Sequence, residues 1–248
     1  MNRADDCETT LFCLPFAGGS SYSYREFQRY GAEGIHIEAL DLPGRGRRFS
    51  EPLLTRLQDM ADDAFGQIRG RLNGAYGLYG HSLGACIGYL LVKRIIRERF
   101  PLPLHLFVSG REGPGVQRKE KHRYLLPRAE FMEELKKFEG TTREVLENRE
   151  LMELFEPVLR ADFQALDTYA YEEKGTPFDV PVTVMRGTDE RLMRADALRW
   201  QDETTQKITF LEFTGGHFFI FRHAAQICRV FSKGMGMPPD AAALHTGT

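Results

Sequence analysis

Gly80-His81-Ser82-Leu83-Gly84 is the segment of this chain best equipped for covalent chemistry. It fits G-x-S-x-G, follows the apolar run Ala75 to Tyr79, and opens directly into a helical pattern from Ala85 to Arg97. A serine on so sharp a strand-to-helix turn stands clear of the sheet edge, with no room for side chains two positions to either side. Gly80 and Gly84 meet that demand. The first N–H groups of the following helix, that of Leu83 included, then point toward negative charge developing beside Ser82. Glycines around a serine also mark plain turns. The strand before and the helix after favour the nucleophile.

A serine nucleophile needs a base, and on this kind of turn the chain order is Ser, then acid, then His. That order sets aside His36 and His81. His105 alternates with Leu104 and Leu106 in a strand pattern, His122 sits in a charged run, His223 in a helix and His245 in the last residues. His217 lies in Thr214-Gly215-Gly216-His217-Phe218-Phe219, a glycine-hinged loop between a strand and a helix, and is the expected base. The acid is expected at Asp189, after the strand and glycine turn of Val182 to Gly187, to fix the imidazole tautomer. Glu190 is the alternative. Asp162 and Asp167 fall on a helical pattern and are expected to face solvent. A second oxyanion donor can come from the loop Leu14-Pro15-Phe16-Ala17-Gly18-Gly19-Ser20, through the Ala17 N–H. No Lys-Ser/Thr follows those glycines, which argues against a phosphate cradle.

The elements that must hold these residues alternate along the chain. Strands are expected at Leu11–Leu14, Ile35–Leu40, Ala75–Tyr79, Leu104–Val108, Val182–Met185 and Ile208–Phe213. Helical spacing covers Arg56–Leu72, Ala85–Arg97, Met193–Glu203 and Phe219–Phe231. This alternation is that of an α/β protein with a mostly parallel sheet covered on both faces. Between Ser109 and Val180 it breaks into consecutive helices, one of them expected to start at Pro157. Such an insertion reads as a helical lid over the strand ends, where parallel sheets bind ligands. Phe131, Leu135, Phe138, Leu151, Leu154 and Phe155 are expected to face inward, and the lid to be mobile. From Lys233 the apolar pattern fades. One domain over residues 1–232, with the lid at about 109–180 and a disordered tail at 233–248, is the expectation.

Composition narrows the function. The 248 residues are 42% apolar and 27% charged, ordinary for one sizeable core. Thirty-three Lys+Arg against thirty-five Asp+Glu give a net charge of −2, which offers no basic field for nucleic acid or a membrane surface. No apolar run approaches the roughly 18–20 residues of a membrane span. Acids rather than an apolar stretch follow Met1, which argues against secretion. Cys7, Cys13, Cys86 and Cys228 form no metal-binding spacing and suggest reduced thiols in a cytoplasmic protein. A structural zinc is not expected.

Five segments in order resemble a known family: Pro15-Phe16-Ala17-Gly18-Gly19, Leu42-Pro43-Gly44-Arg45-Gly46, Gly80-His81-Ser82-Leu83-Gly84, the lid pair Leu146–Met152 with Leu159-Arg160-Ala161-Asp162-Phe163, and Gly215-Gly216-His217-Phe218-Phe219. Together they look like the stand-alone type II thioesterases that accompany non-ribosomal peptide and polyketide synthases, of the α/β-hydrolase superfamily. The resemblance spans about Leu11 to Phe231. It implies Ser82, Asp189 and His217 as a triad, with the N–H groups of Ala17 and Leu83 as the oxyanion hole and no cofactor or metal. The implied substrate is an acyl thioester on the phosphopantetheine arm of a carrier domain, and a monomer is expected. Glu139-Gly140-Thr141-Thr142 departs from the Gly-Gly-Thr-Pro of the family, so the lid joint can differ in stiffness. A chain-terminating fatty-acyl thioesterase or a general carboxylesterase is the rival within the same chemistry. A catalytically dead binding protein is the rival outside it. Arg118 to Arg123 is a candidate docking surface for an acidic carrier.

Overall fold

The computed structural model describes residues 9–31, 34–116, 122–136, 148–171 and 175–237. Strands β1 (Thr9–Leu14), β2 (Ile35–Ala39), β3 (Tyr76–His81), β4 (Leu106–Ser109), β5 (Val182–Gly187) and β6 (Thr209–Phe213) form one sheet. Its order is β2-β1-β3-β4-β5-β6, and every neighbouring pair is parallel. All six strands lie where the apolar runs place them. The fold is that of an α/β-hydrolase.

Period-two alternation assigns each strand residue to one of two cores. Phe12, Leu14, Leu78, Leu106, Val108, Val182 and Val184 pack with helices α2 (Leu57–Ile68) and α3 (Leu83–Arg97). Leu11, Cys13, Ile37, Tyr79, Phe107 and Met185 face the other way, onto Phe27 of α1 (Arg25–Arg29) and onto the C-terminal helix. Both faces being covered explains why the strands read as near-continuous apolar runs. Cys13, Cys86 and Cys228 are free and buried in these layers.

The chain reverses direction across the sheet between β1 and β3, since β1 leads to β2 on one side and β3 to β4 on the other. Parallel sheets open a crevice at such a point, beyond the carboxyl ends of the strands. The loop after β1 and the turn carrying Ser82 border it.

Between β4 and β5 the described residues contain helices α4 (Arg128–Lys136) and α5 (Arg149–Asp167) and no ladder strand. Phe131, Leu135, Met152, Leu159 and Phe163 form a small core of their own. Helix α5 runs straight through Pro157 instead of starting there, although the ring removes one helical hydrogen bond. Leu151, Leu154 and Phe155 do not face inward: they are exposed. Phe138 lies outside the described residues.

Helices α6 (Arg194–Leu198), α7 (Phe219–Arg222) and α8 (Ala224–Gly234) complete the chain. The expected single helix from Phe219 breaks at His223, whose φ of −110° is not helical. Order also extends past residue 232, because α8 continues to Gly234 and Met235 is buried. No helix among the described residues is long and apolar enough to cross a membrane.

Candidate active site

Ser82 sits between β3 and α3 with φ 53° and ψ −110°, a conformation a serine holds only under constraint. The constraint comes from both sides. Its N–H donates to the Ser109 carbonyl at 2.8 Å, and its own carbonyl accepts from Ala85 N–H at 3.1 Å. A Cβ on Gly80 would stand 2.1 Å from the Gly84 carbonyl oxygen, and one on Gly84 would stand 2.4 Å from that of Leu14. Both glycines are therefore obligatory. The Cβ on Gly84 would also stand 3.1 Å from the Pro15 carbonyl oxygen, so the start of the loop after β1 lies against the first turn of α3.

His217 follows β6 on the Gly215-Gly216 hinge, where Gly215 has φ 121°. The hinge presses on β5: a Cβ on Gly187 would meet the Gly215 and Gly216 carbonyl oxygens at 2.4 and 2.5 Å. His217 and Ser82 converge on the same turn. Gly110 stands so close that a Cβ there would lie 3.0 Å from His217 Cε1, next to the Ser109 carbonyl that holds Ser82.

The carboxylate that pairs with His217 is Glu190, where Asp189 was the expected one. Glu190 Oε2 lies 2.9 Å from His217 Nδ1, and Oε1 accepts from Gly187 N–H at 2.8 Å. Its side chain is only 2% exposed. Asp189 is exposed and accepts from the Thr188 hydroxyl. The physical reason is the turn that ends β5. Thr188 N–H donates to Phe213 and Asp189 N–H to Gly215, and the chain turns over residues 188–190, which lets the Glu190 side chain fold back onto Gly187 N–H. Asp189 takes the solvent side and Glu190 the site side.

His81 is a site neighbour that sequence order had set aside. It is fully buried, its ring centroid lies 4.7 Å from that of His217, and Phe16 and Phe218 pack around it. Its Nδ1 shares a hydrogen bond with the Ser109 hydroxyl at 2.9 Å, which also meets Tyr79 Oη. Burial, then the neighbouring His217, pushes its pKa well below the ordinary histidine value. His81 thus packs against His217 as a buried ring whose charged form is disfavoured.

Two further acids change place. Asp162 and Asp167 were expected to face solvent, yet Asp162 is fully buried and the Asp167 side chain is 2% exposed. Asp162 takes a bidentate pair from Arg45 at 2.7 Å on each arm, and Asp167 pairs with Arg123. Arg123 therefore belongs to the interior and not to a docking surface; residues 118–121 of that run lie outside the described residues. A buried carboxylate needs such a cation, because an unpaired one costs several kcal/mol. Among the described residues no group of three or more His, Cys, Asp or Glu could hold a metal ion.

Similarity to known proteins bears on the family. A family model described as the thioesterase domain matches residues 9–234. The gramicidin S biosynthesis protein GrsT of Aneurinibacillus migulanus is 32% identical over 224 residues, covering 90% of this chain and 87% of that protein. The structure of the type II thioesterase BorB from the borrelidin biosynthetic cluster matches with TM-score 0.85 and 29% identity, over 94% of this chain and 95% of that one. ClbQ from the colibactin NRPS/PKS pathway matches with TM-score 0.87 and 30% identity, over 92% and 97%.

Proposed function

This chain belongs to the thioesterase family and is a thioester-hydrolysing enzyme of the type II class, and we propose that Ser82, His217 and Glu190 carry its chemistry on acyl groups held by carrier domains. The observation that carries this reading is the constrained Ser82 at the strand-to-helix turn, with the Glu190-bound His217 over the same Ser109–Gly110 turn.

Ser82 Oγ attacks the thioester carbonyl carbon while His217 takes its proton. The carbonyl oxygen becomes an oxyanion between the N–H groups of Ala17 and Leu83. The C–S bond then breaks, the thiol leaves with the proton from His217, and the acyl group stays on Ser82. Water, deprotonated by His217, attacks the acyl-serine, the acid departs and Ser82 regains its proton. Glu190 holds Nδ1–H throughout and stabilises the imidazolium. Its extra methylene, relative to aspartate, lets it span from the strand end to the hinge loop. The phosphopantetheine arm is substrate here, and no step calls on a metal or diffusible cofactor.

The biological task under this reading is the removal of acyl groups that stall a non-ribosomal peptide or polyketide assembly line. The free buried thiols suit a reducing compartment, the cytoplasm. The test has two arms. Ser82→Ala should lower kcat by about 10⁴-fold or more, and a fluorophosphonate probe should add once, at Ser82, by intact mass. The kcat/KM for an acyl-carrier protein should exceed that for the same acyl group on a pantetheine mimic by about tenfold, with salt shrinking the gap. An active alanine variant overturns the chemistry. Equal kcat/KM values would instead describe a general thioesterase.

A further inference from the structure

We infer that Arg45 and Asp162 are positioning residues for the oxyanion hole, locking the loop that carries Ala17 to the lid helix. This rests on the reading of Ala17 as an oxyanion donor. Residues Phe16 to Gly19 form a tight turn, closed by a 2.8 Å bond from Gly19 N–H to the Phe16 carbonyl. Gly18 has φ 74°, as the third position of a type II turn requires. The closing bond uses neither the Ala17 nor the Gly18 N–H. Gly18 N–H is taken by Asp162 Oδ2 at 2.8 Å, from helix α5, which is 144 residues away in sequence. That bond fixes the orientation of the peptide plane joining Ala17 to Gly18.

Asp162 is itself held. Arg45, from the loop after β2, forks onto both of its oxygens, so the carboxylate has little freedom to rotate away from Gly18. Leu159, one turn earlier on α5, closes on the same spot, and a Cβ on Gly18 would lie 2.7 Å from its Cδ2. The far end of the turn is tied as well. Asp41, also after β2, accepts from the Ser21 N–H and hydroxyl at 2.7 and 2.9 Å and from Arg47. A Cβ on Gly46 would strike Asp41 Oδ1 at 2.3 Å. The loops after β1 and β2 and the C-terminal half of α5 therefore form one rigid junction, with Ala17 at its catalytic edge. Gly44-Arg45-Gly46 and Leu159-Arg160-Ala161-Asp162-Phe163, which the triad leaves unused, find their task in this junction.

The test separates positioning from mere stability. In Arg45→Met/Asp162→Leu both charges leave together and apolar groups fill the space, a replacement that buried pairs often tolerate. We expect kcat to fall about 10–100-fold, less than or equal to the loss of a whole oxyanion donor, with KM changed less than about threefold. A trifluoromethyl ketone of the same acyl chain, which adds to Ser82 and places its oxygen in the hole, should lose affinity by a similar factor. The matching thioether, which has no such oxygen, should bind as before. Arg45→Lys, keeping charge without the fork, should recover part of the loss. If the double variant does not fold, the isosteric Asp162→Asn is read in the same way. Turnover and ketone affinity within about threefold of the unsubstituted enzyme would overturn the inference, as would an equal loss for ketone and thioether. Failure of the active-site reading shows separately, as turnover by Ser82→Ala.

Discussion

The two halves of α5, before and after Pro157, are built on different principles. In the C-terminal half Leu159, Ala161, Asp162, Phe163, Ala165 and Leu166 are all buried. Arg160 stacks on Phe131 and caps the carbonyls of Tyr124 and Leu126, and Arg123 pairs with Asp167 while lying over the Phe163 ring. In the N-terminal half only Met152 is buried, while Leu154 and Phe155 are 56% and 42% exposed. The Arg149–Glu153 pair there is solvated and contributes a few tenths of a kcal/mol. The anchored half is tied to the loops after β1 and β2, and the exposed half offers apolar surface that an acyl chain or a docking partner can cover.

The sharpest break in the anchored framework lies at its acid. Glu190→Gln should lower kcat by about 10³–10⁴-fold, because an amide favours the wrong imidazole tautomer. Asp189→Asn should stay within about threefold. Single-turnover hydrolysis measures both, and a reversed order would return the acid to Asp189. The next effect is on stability. Arg123→Ala strands the buried Asp167 carboxylate and should destabilise the protein by about 3–5 kcal/mol in urea unfolding. A change below about 1 kcal/mol would mean the lid is less firmly anchored than its contacts show.

A pH series probes the same framework. Burial lowers the pKa of His105 to about 4, and that of His81 also lies below its ordinary value. The unfolded chain binds those protons first, near pH 6.5, so stability is level above that pH and falls as pH drops from about 6.5 toward 4. The slope is about 1.4 kcal/mol per pH unit for each group. His105→Gln should remove one share of it, and an unchanged slope would show that His105 is not held neutral. The smallest effect belongs to the exposed half. Leu154→Ala and Phe155→Ala should alter stability by less than about 0.5 kcal/mol. They should shift KM among acyl chain lengths by a few-fold, read from a panel of chain lengths. A uniform KM across the panel would remove that half from acyl recognition.

The sheet was legible because parallel strands buried on both faces read as unbroken apolar runs, as Leu11–Leu14 and Val182–Met185 do. The serine was legible because its turn needs glycine twice, at Gly80 and Gly84, and the histidine because the Gly215-Gly216 hinge isolates it. The carboxylate paired with His217 lies one residue beyond the expected Asp189. Which carboxylate faces the histidine is decided by the turn after β5, where Glu190 closes back onto Gly187 N–H, and that turn has no periodicity to read. Asp162 shows a different failure. It shares a helix face with Val158, Leu159 and Leu166, so its burial was readable from spacing. Its partner Arg45 stands 117 residues away, and only the folded chain joins them. Pro157 misled by its usual preference for a helix start, which tertiary packing overrode.

Ser82 is one of two non-glycine residues at positive φ among the described residues, the other being Arg99. A side chain held in such a conformation carries about 1–3 kcal/mol of strain that a glycine would release. Replacing the proposed nucleophile by glycine therefore favours folding. Drift under pressure for stability alone would erase the nucleophile before it damaged the scaffold. A silent descendant of this chain would still fold, at least as firmly as its working ancestor.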